Sequence, residues 1–444
     1  MAIDITAGGA DSSERQTRLI DAMGLAGGDS SKVPSIISLP LAQNRLAGIL
    51  SLINQAASEP NGVREPSDPT LCTLTLGGTD ASLTNQVKYQ DYPQKFRPSP
   101  HIAIYETGRW QRLHTLTREG TGNLGTQDGT GKAGTGVSQV FTFWEFYTDA
   151  QDVVLDFLAG SVFNLQIDGV FQTKEKLTVP NAGGGAGTVL LNFPDKRTRK
   201  ITINFNWSGS GFGGVYVLPT DSVWATEETL TMGMLGDSFA AGSDSNMPGI
   251  NWTPAFAKML GLSVQVSAEG GTGILRKKTD DTGVNYIERY ADDLGHKDFD
   301  IICVPSTVND AEPYANGELD AGVDTLYSLI RQYHPKALIL VVGSCGSVNM
   351  PSGAAEAIAT EAATLARFDS KNDPLVITVP AMTDVNPPVF GSGNVDGATG
   401  DGNADNYIQG GIHYGIDGHV HHAIFMADKT LSAIKNRIRE LTIA

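Results

Sequence analysis

The chain has 444 residues, 40% hydrophobic and 18% charged, enough for two or three buried cores. Its net charge of −17 repels phosphate backbones and anionic membrane surfaces, which argues against nucleic-acid or membrane partners. No apolar run approaches the roughly 18–20 residues that cross a bilayer, and the opening "MAIDITAGGADSSERQ" has neither the basic start nor the apolar core of a signal peptide.

The three cysteines, Cys72, Cys303 and Cys345, are odd in number and widely spaced, which fits neither a disulfide framework nor a zinc cluster. Cys303 and Cys345 read as buried thiols, since each sits in or beside an apolar run.

Residues 1–95 have no assignable fold. "LAQNRLAGILSLINQAA" (41–57) predicts one amphipathic helix, and a turn-rich stretch around Pro60, Pro66 and Pro69 follows. An attachment or oligomerisation role and a packing extension both fit this region.

From 96 to 222 the texture is antiparallel β. "VFTFWEFYT" (140–148) and "VFNLQIDGVFQ" (162–172) are strand-like, and Asp168-Gly169 is a tight hairpin signal. "KITINFNW" (200–207) puts Ile201, Ile203 and Phe205 on one face, as a half-buried strand does. Short strands at this spacing predict a β-sandwich of jelly-roll type. The glycine-rich stretch 120–136 is not a phosphate loop: Thr126 stands where its first glycine belongs, and Ala133 follows Lys132 in place of Ser or Thr. It reads as a long hairpin loop. Trp110, Trp144 and Trp224 are candidates for stacking on sugar rings or for the core.

From 228 onward apolar runs alternate with helical patterns. Strands are expected at 230–235, 262–266, 299–304, 337–342 and 375–379. Helices are expected at 252–260, 284–294, 319–334, 354–368 and 418–441. Near-continuous apolar strands with helical crossovers predict a parallel sheet covered on both faces. Ligands of such sheets bind outside the carboxyl ends of the strands.

The chemistry gathers at those ends. "GDSFAAG" (236–242) follows the first strand, "GGTG" (270–273) the second and "VND" (308–310) the third, while "HYGIDGH" (413–419) opens the last helix. A serine hydroxyl needs a base in hydrogen-bond reach and donors for the oxyanion it creates. These four blocks, in this order, resemble the SGNH/GDSL hydrolases, esterases and lipases with a flavodoxin-like three-layer sheet. The resemblance spans 228–444, about half the chain, and implies Ser238 as nucleophile and His413 as base. It also implies Gly271 and Asn309 as oxyanion donors, with Gly270 one register away. Departures are Phe239 for the usual leucine, and Ser306 and Val308 where glycine is usual. Asp237, Glu269 and Asp310 read as turn hydrogen-bonders.

An aspartate usually stands three residues before that histidine, and here the position is Gly410. A Ser–His dyad with backbone support, or an acid from Asp405, Asp401 or Asp384, remains. No cofactor or metal is expected, although His413, His419, His421 and His422 pose the alternative of a metal cluster. A sandwich ahead of the hydrolase resembles carbohydrate acetyl-esterases, including polysaccharide deacetylases of phage tails, and implies an acetylated polysaccharide or oligosaccharide as substrate. A lipase, lysophospholipase or thioesterase, or a carbohydrate-binding or virion protein with a degenerate site, are the alternatives. A cytoplasmic place, or a virion tail component that needs no signal and assembles as a homotrimer, is the corresponding expectation for localisation and assembly.

Overall fold

The computed structural model describes residues 39–56, 72–100, 102–107, 109–115, 142–173, 176–181, 185–205, 210–242, 251–277, 283–295, 297–343, 354–383, 408–409 and 413–443. Helix α1 (Leu39–Ala56) comes first. Its Ala42, Leu46, Ile49 and Ile53 recur every three or four residues, form one stripe and are all buried.

Two antiparallel sheets follow. One has the strand order β1 (Thr73–Leu76), β11 (Ala186–Asn192), β7 (Asp152–Leu158), β13 (Gly211–Val217), β5 (Trp110–Thr115), β4 (Ile102–Thr107), with β2 (Asn85–Lys88) also on β13. The other runs β10 (Leu177–Thr178), β8 (Val162–Ile167), β12 (Arg199–Phe205), β6 (Thr142–Thr148), β14 (Val223–Trp224), with β3 (Arg97–Pro98) on β6 and β9 (Val170–Phe171) on β8. Alternate residues of both sheets, among them Trp144, Phe146, Phe157, Leu165, Ile203 and Phe212, share one core. The β8–β9 hairpin turns on Asp168 (φ 49°) and Gly169 (φ 83°), the paired left-handed conformations of a tight turn. Because β1 and β2 pair into these layers, the layers start well before the expected residue 96. Trp144 lies in the core and Trp224 is partly exposed at the sheet edge. The stretch 120–136 lies outside the described residues.

The third sheet is parallel throughout, in the order β16 (Ser263–Ala268), β15 (Thr231–Gly236), β17 (Ile301–Pro305), β18 (Leu338–Val342), β19 (Val376–Val379). This is the 2-1-3-4-5 order of doubly wound, flavodoxin-like sheets. Alternation splits each strand between two cores. Ile301, Cys303, Leu338 and Leu340 join one with α1, α2 (Trp252–Met259) and the final helix, Ile416–Ile443. Ile302, Val304, Ile339 and Val341 join the other, with residues of helices Tyr286–Tyr290, Leu319–Tyr333 and Ala354–Asp369. Covering both faces makes most strand positions apolar, which is why β17 and β18 read as unbroken hydrophobic runs, while β16 keeps the buried polar residues Ser263, Gln265 and Ser267.

Strand β12 departs from the expected half-buried pattern. Thr202 and Asn204, on its second face, are also buried. Lys258 of α2 reaches across to Gln166 and, at 3.1 Å, to Asn204. Arg97 joins Glu145 (2.7 Å) to Ser263 Oγ (3.1 Å) at the start of β16. Burial works to raise the Glu145 carboxyl, but Lys200, Arg97 and Lys258 together bring it down to about 2. The sheet's outer face is thus a buried polar seam against the parallel sheet's α2.

Candidate active site

The order of the parallel sheet reverses between β15 and β17, and the crevice at that point is where doubly wound folds hold ligands. Strand β15 ends at Gly236, and the chain turns at once. Asp237 shapes the turn: its Oδ1 accepts from the N–H groups of Phe239 (2.9 Å) and Ala240 (3.4 Å). Ser238 follows in the turn, only partly buried between buried neighbours. Burial pushes the Asp237 carboxyl up, against the hydroxyl of Thr307 and the two N–H groups.

Strands β16 and β17 bring two further loops to Ser238. After β16, Gly270 lies beside it: a side chain added there would stand 3.5 Å from Ser238 Cβ. Gly271, exposed, takes φ 76°, a left-handed conformation that disfavours side-chain-bearing residues. After β17, Thr307 donates its hydroxyl to Asp237 Oδ2 (2.6 Å) and accepts the Asn309 N–H (3.2 Å). Asn309 Nδ2 donates to the Thr272 carbonyl (2.9 Å), leaving a second amide hydrogen on the same nitrogen. Asp310 then accepts from Ile274, Leu275 and Arg276 N–H groups at 2.7, 3.1 and 2.9 Å, lacing the two loops together. Thr307 lies in none of the four blocks and Thr272 is given no role by the block that contains it; only their neighbours in space give them one.

His413 arrives from the far end of the chain. It lies in β21 (His413–Tyr414), paired with β20 (Ile408–Gln409), and its Nε2 is 2.8 Å from Ser238 Oγ. With Nε2 unprotonated, the hydroxyl donates to it, the arrangement by which an imidazole accepts a proton from an attacking oxygen. Phe239 packs edge-on against His413 (5.0 Å, 65°) and Tyr414 (5.2 Å, 68°). The phenylalanine that departs from the usual leucine is therefore a wall of the histidine's seat. Phe171, from β9, packs on Ile416 and Val420 at the start of the final helix, so the antiparallel layers touch the helix that His413 precedes.

The other histidines face elsewhere. His419 Nδ1 accepts the Trp252 N–H (3.3 Å), and His422 is buried against the rings of Trp252 and Tyr414. Among the described residues, no group of three His, Cys, Asp or Glu is placed to hold a metal ion. Gly410, Asp405, Asp401 and Asp384 lie outside the described residues. Also among the described residues, no helix is long and apolar enough to cross a membrane.

No protein family and no curated protein matches the chain in sequence. Its fold is similar to that of solved structures. A salicylyl-acyltransferase from a tetracycline biosynthetic pathway aligns with a TM-score of 0.55 at 12% identity, covering 82% of this chain and 98% of the other. An active-site mutant of a family two carbohydrate esterase from Clostridium thermocellum aligns with a TM-score of 0.50 at 12% identity, covering 77% and 98%. Each likeness covers more of the chain than residues 228–444 alone.

Proposed function

We propose that this chain is a serine esterase that removes O-acetyl groups from a polysaccharide. The observation that carries the reading is the 2.8 Å approach of His413 Nε2 to Ser238 Oγ at the switch point of the sheet. Ser238 Oγ attacks the ester carbonyl as its proton passes to His413. The resulting oxyanion takes hydrogen bonds from the Ser238 N–H, the Gly270–Gly271 turn and the remaining amide hydrogen of Asn309. His413 then protonates the departing sugar alkoxide, and water releases acetate from the acetyl-enzyme by the same steps. The third member is absent at Gly410, and we assign a Ser–His dyad supported by backbone.

The domain division that accompanies this reading is a jelly-roll-like β-sandwich ahead of a catalytic unit from 228 to 444. A carbohydrate substrate is supported by the shared fold with a carbohydrate esterase, whose own substrate class comes to this chain only by that analogy. The test is hydrolysis of p-nitrophenyl esters of rising chain length, followed by acetylated polysaccharide. Turnover of acetyl but not octanoyl esters, abolished in Ser238→Ala with the fold intact, is the expected result. Preference for octanoyl would make the protein a lipase, and retained activity in Ser238→Ala would remove Ser238 from the mechanism.

A further inference from the structure

Helix α3 (Tyr286–Tyr290) carries a buried arginine outside every block noted in the sequence. A guanidinium has five N–H donors in a rigid fork. Among the described residues, Arg289 has five acceptors within reach. Its Nε donates to Ser267 Oγ (3.1 Å), and Nη1 donates to Thr272 Oγ1 (2.9 Å) and the Val284 carbonyl (2.7 Å). Its Nη2 donates to the carbonyls of Gly236 (2.6 Å) and Ser267 (3.4 Å). The Tyr286 ring lies 4.8 Å from the guanidinium carbon.

These acceptors sit at informative places. Gly236 is the last residue of β15, two before Ser238. Ser267 is at the end of β16, and its hydroxyl donates to Asp293 (2.6 Å) in the π-helical turn after α3. Thr272 lies inside the glycine turn; its hydroxyl donates to the Glu269 carbonyl (2.7 Å), and its own carbonyl accepts from Asn309. One planar cation therefore holds the end of the Ser238 strand, the end of its neighbour and the turn that presents Gly270 and Gly271 and whose Thr272 carbonyl anchors Asn309. A lysine has three donors on a single point and cannot reproduce the fork.

We propose that Arg289 is a positioning residue that sets the 269–273 turn against the Ser238 turn and so fixes the oxyanion donors for acyl transfer. It touches no reacting atom. The inference rests on the esterase reading of the Ser238 site, and it predicts an effect on the transition state rather than on substrate binding.

The experiment compares wild type, Arg289→Ala, Arg289→Lys and Thr272→Val on p-nitrophenyl acetate, with and without millimolar guanidinium. Arg289→Ala is expected to lower kcat by about 100-fold, the size of one lost oxyanion donor, with KM changed less than about threefold. Guanidinium restores kcat at least about tenfold in Arg289→Ala and leaves wild type unchanged, whereas Arg289→Lys stays low. A change of kcat within about threefold of wild type, a loss carried by KM, or a folded Arg289→Ala that guanidinium does not rescue overturns the proposal. Should Arg289→Ala fail to fold, Thr272→Val, which removes one acceptor and keeps the shape, decides it: unchanged kcat is the overturning result. Labelling of Ser238 by a fluorophosphonate separates the two readings. If wild type is labelled but turns over no acetyl ester, the ester assignment fails, and the labelling rates of the variants test Arg289 directly. If wild type is not labelled either, both fall.

Discussion

Asp310→Asn is a one-atom change at the junction of two site loops. In the native protein Oδ2 accepts the Ile274 N–H at 2.7 Å, and Oδ1 accepts those of Leu275 and Arg276 at 3.1 and 2.9 Å. Asparagine keeps one oxygen, which can serve the Leu275–Arg276 pair, and turns an NH2 towards the Ile274 N–H. An unpaired buried donor costs about 1–3 kcal/mol, and the two remaining bonds lose their charge assistance. Together that is about 3 kcal/mol, or roughly a hundredfold in the opening constant of the loop at 1.36 kcal/mol per decade. Hydrogen exchange of residues 274–276 reads this constant directly. Burial raises the Asp310 carboxyl, and the three N–H groups oppose it. The contrast between Asp310 and its asparagine variant is therefore greatest at neutral to alkaline pH and shrinks as protonation makes the native group resemble an amide. Asn309 is the adjacent residue, so kcat falls with the loop. Protection within about threefold of wild type at neutral pH would refute the reasoning.

Three further outcomes follow from the site and its surroundings. Asn309→Ala lowers kcat by about 10²–10³, the usual size for one oxyanion donor, and a loss below about fivefold in ester hydrolysis would place that amide outside the oxyanion's reach. His413→Ala removes activity while Asp405→Asn costs less than about tenfold; a thousandfold drop in Asp405→Asn with the fold preserved would make Asp405 the third member of a rearranged triad. Burial, with His419 and His421 nearby, lowers His422 to about 3, so the folded protein holds it neutral while the unfolded chain protonates it below about 6.5. Its stabilisation is complete above that value and is lost as pH falls towards 3, by about 3 kcal/mol at pH 4.5. His422→Phe should therefore lose less stability than wild type between pH 7 and 4.5 in urea titrations, and equal losses would contradict this assignment.

Much of the architecture is legible in one dimension because its signals are local. The five apolar runs from 230 to 379 correspond to β15 to β19, and the Asp168-Gly169 turn closes a hairpin where those residues tolerate positive φ. The helix expected at 41–57 is present as Leu39–Ala56, with its apolar stripe against the final helix. Burial on the second face of β12 was not legible. Thr202 and Asn204 have the polarity of solvent-facing positions, and only the approach of Lys258 makes that face an interface.

The candidate site divides in the same way. Residue types and strand-end positions single out Ser238, a glycine turn, Asn309 and His413, because such chemistry needs a hydroxyl, a base and donors at one sheet edge; Gly271 within that turn is what the family resemblance implies. Arg289 and Thr307 carry no such mark: an arginine on a short helix has the composition of an exposed cation. What the sequence by itself determined is the period of each segment and the kinds of groups placed at its ends, since both depend on neighbours along the chain. Only the tertiary structure decided that Ser238 and His413, 175 residues apart, meet at 2.8 Å, and that five acceptors from three segments converge on one buried guanidinium. Those distances depend on how the sheet, its crossovers and its loops pack, which no local pattern encodes.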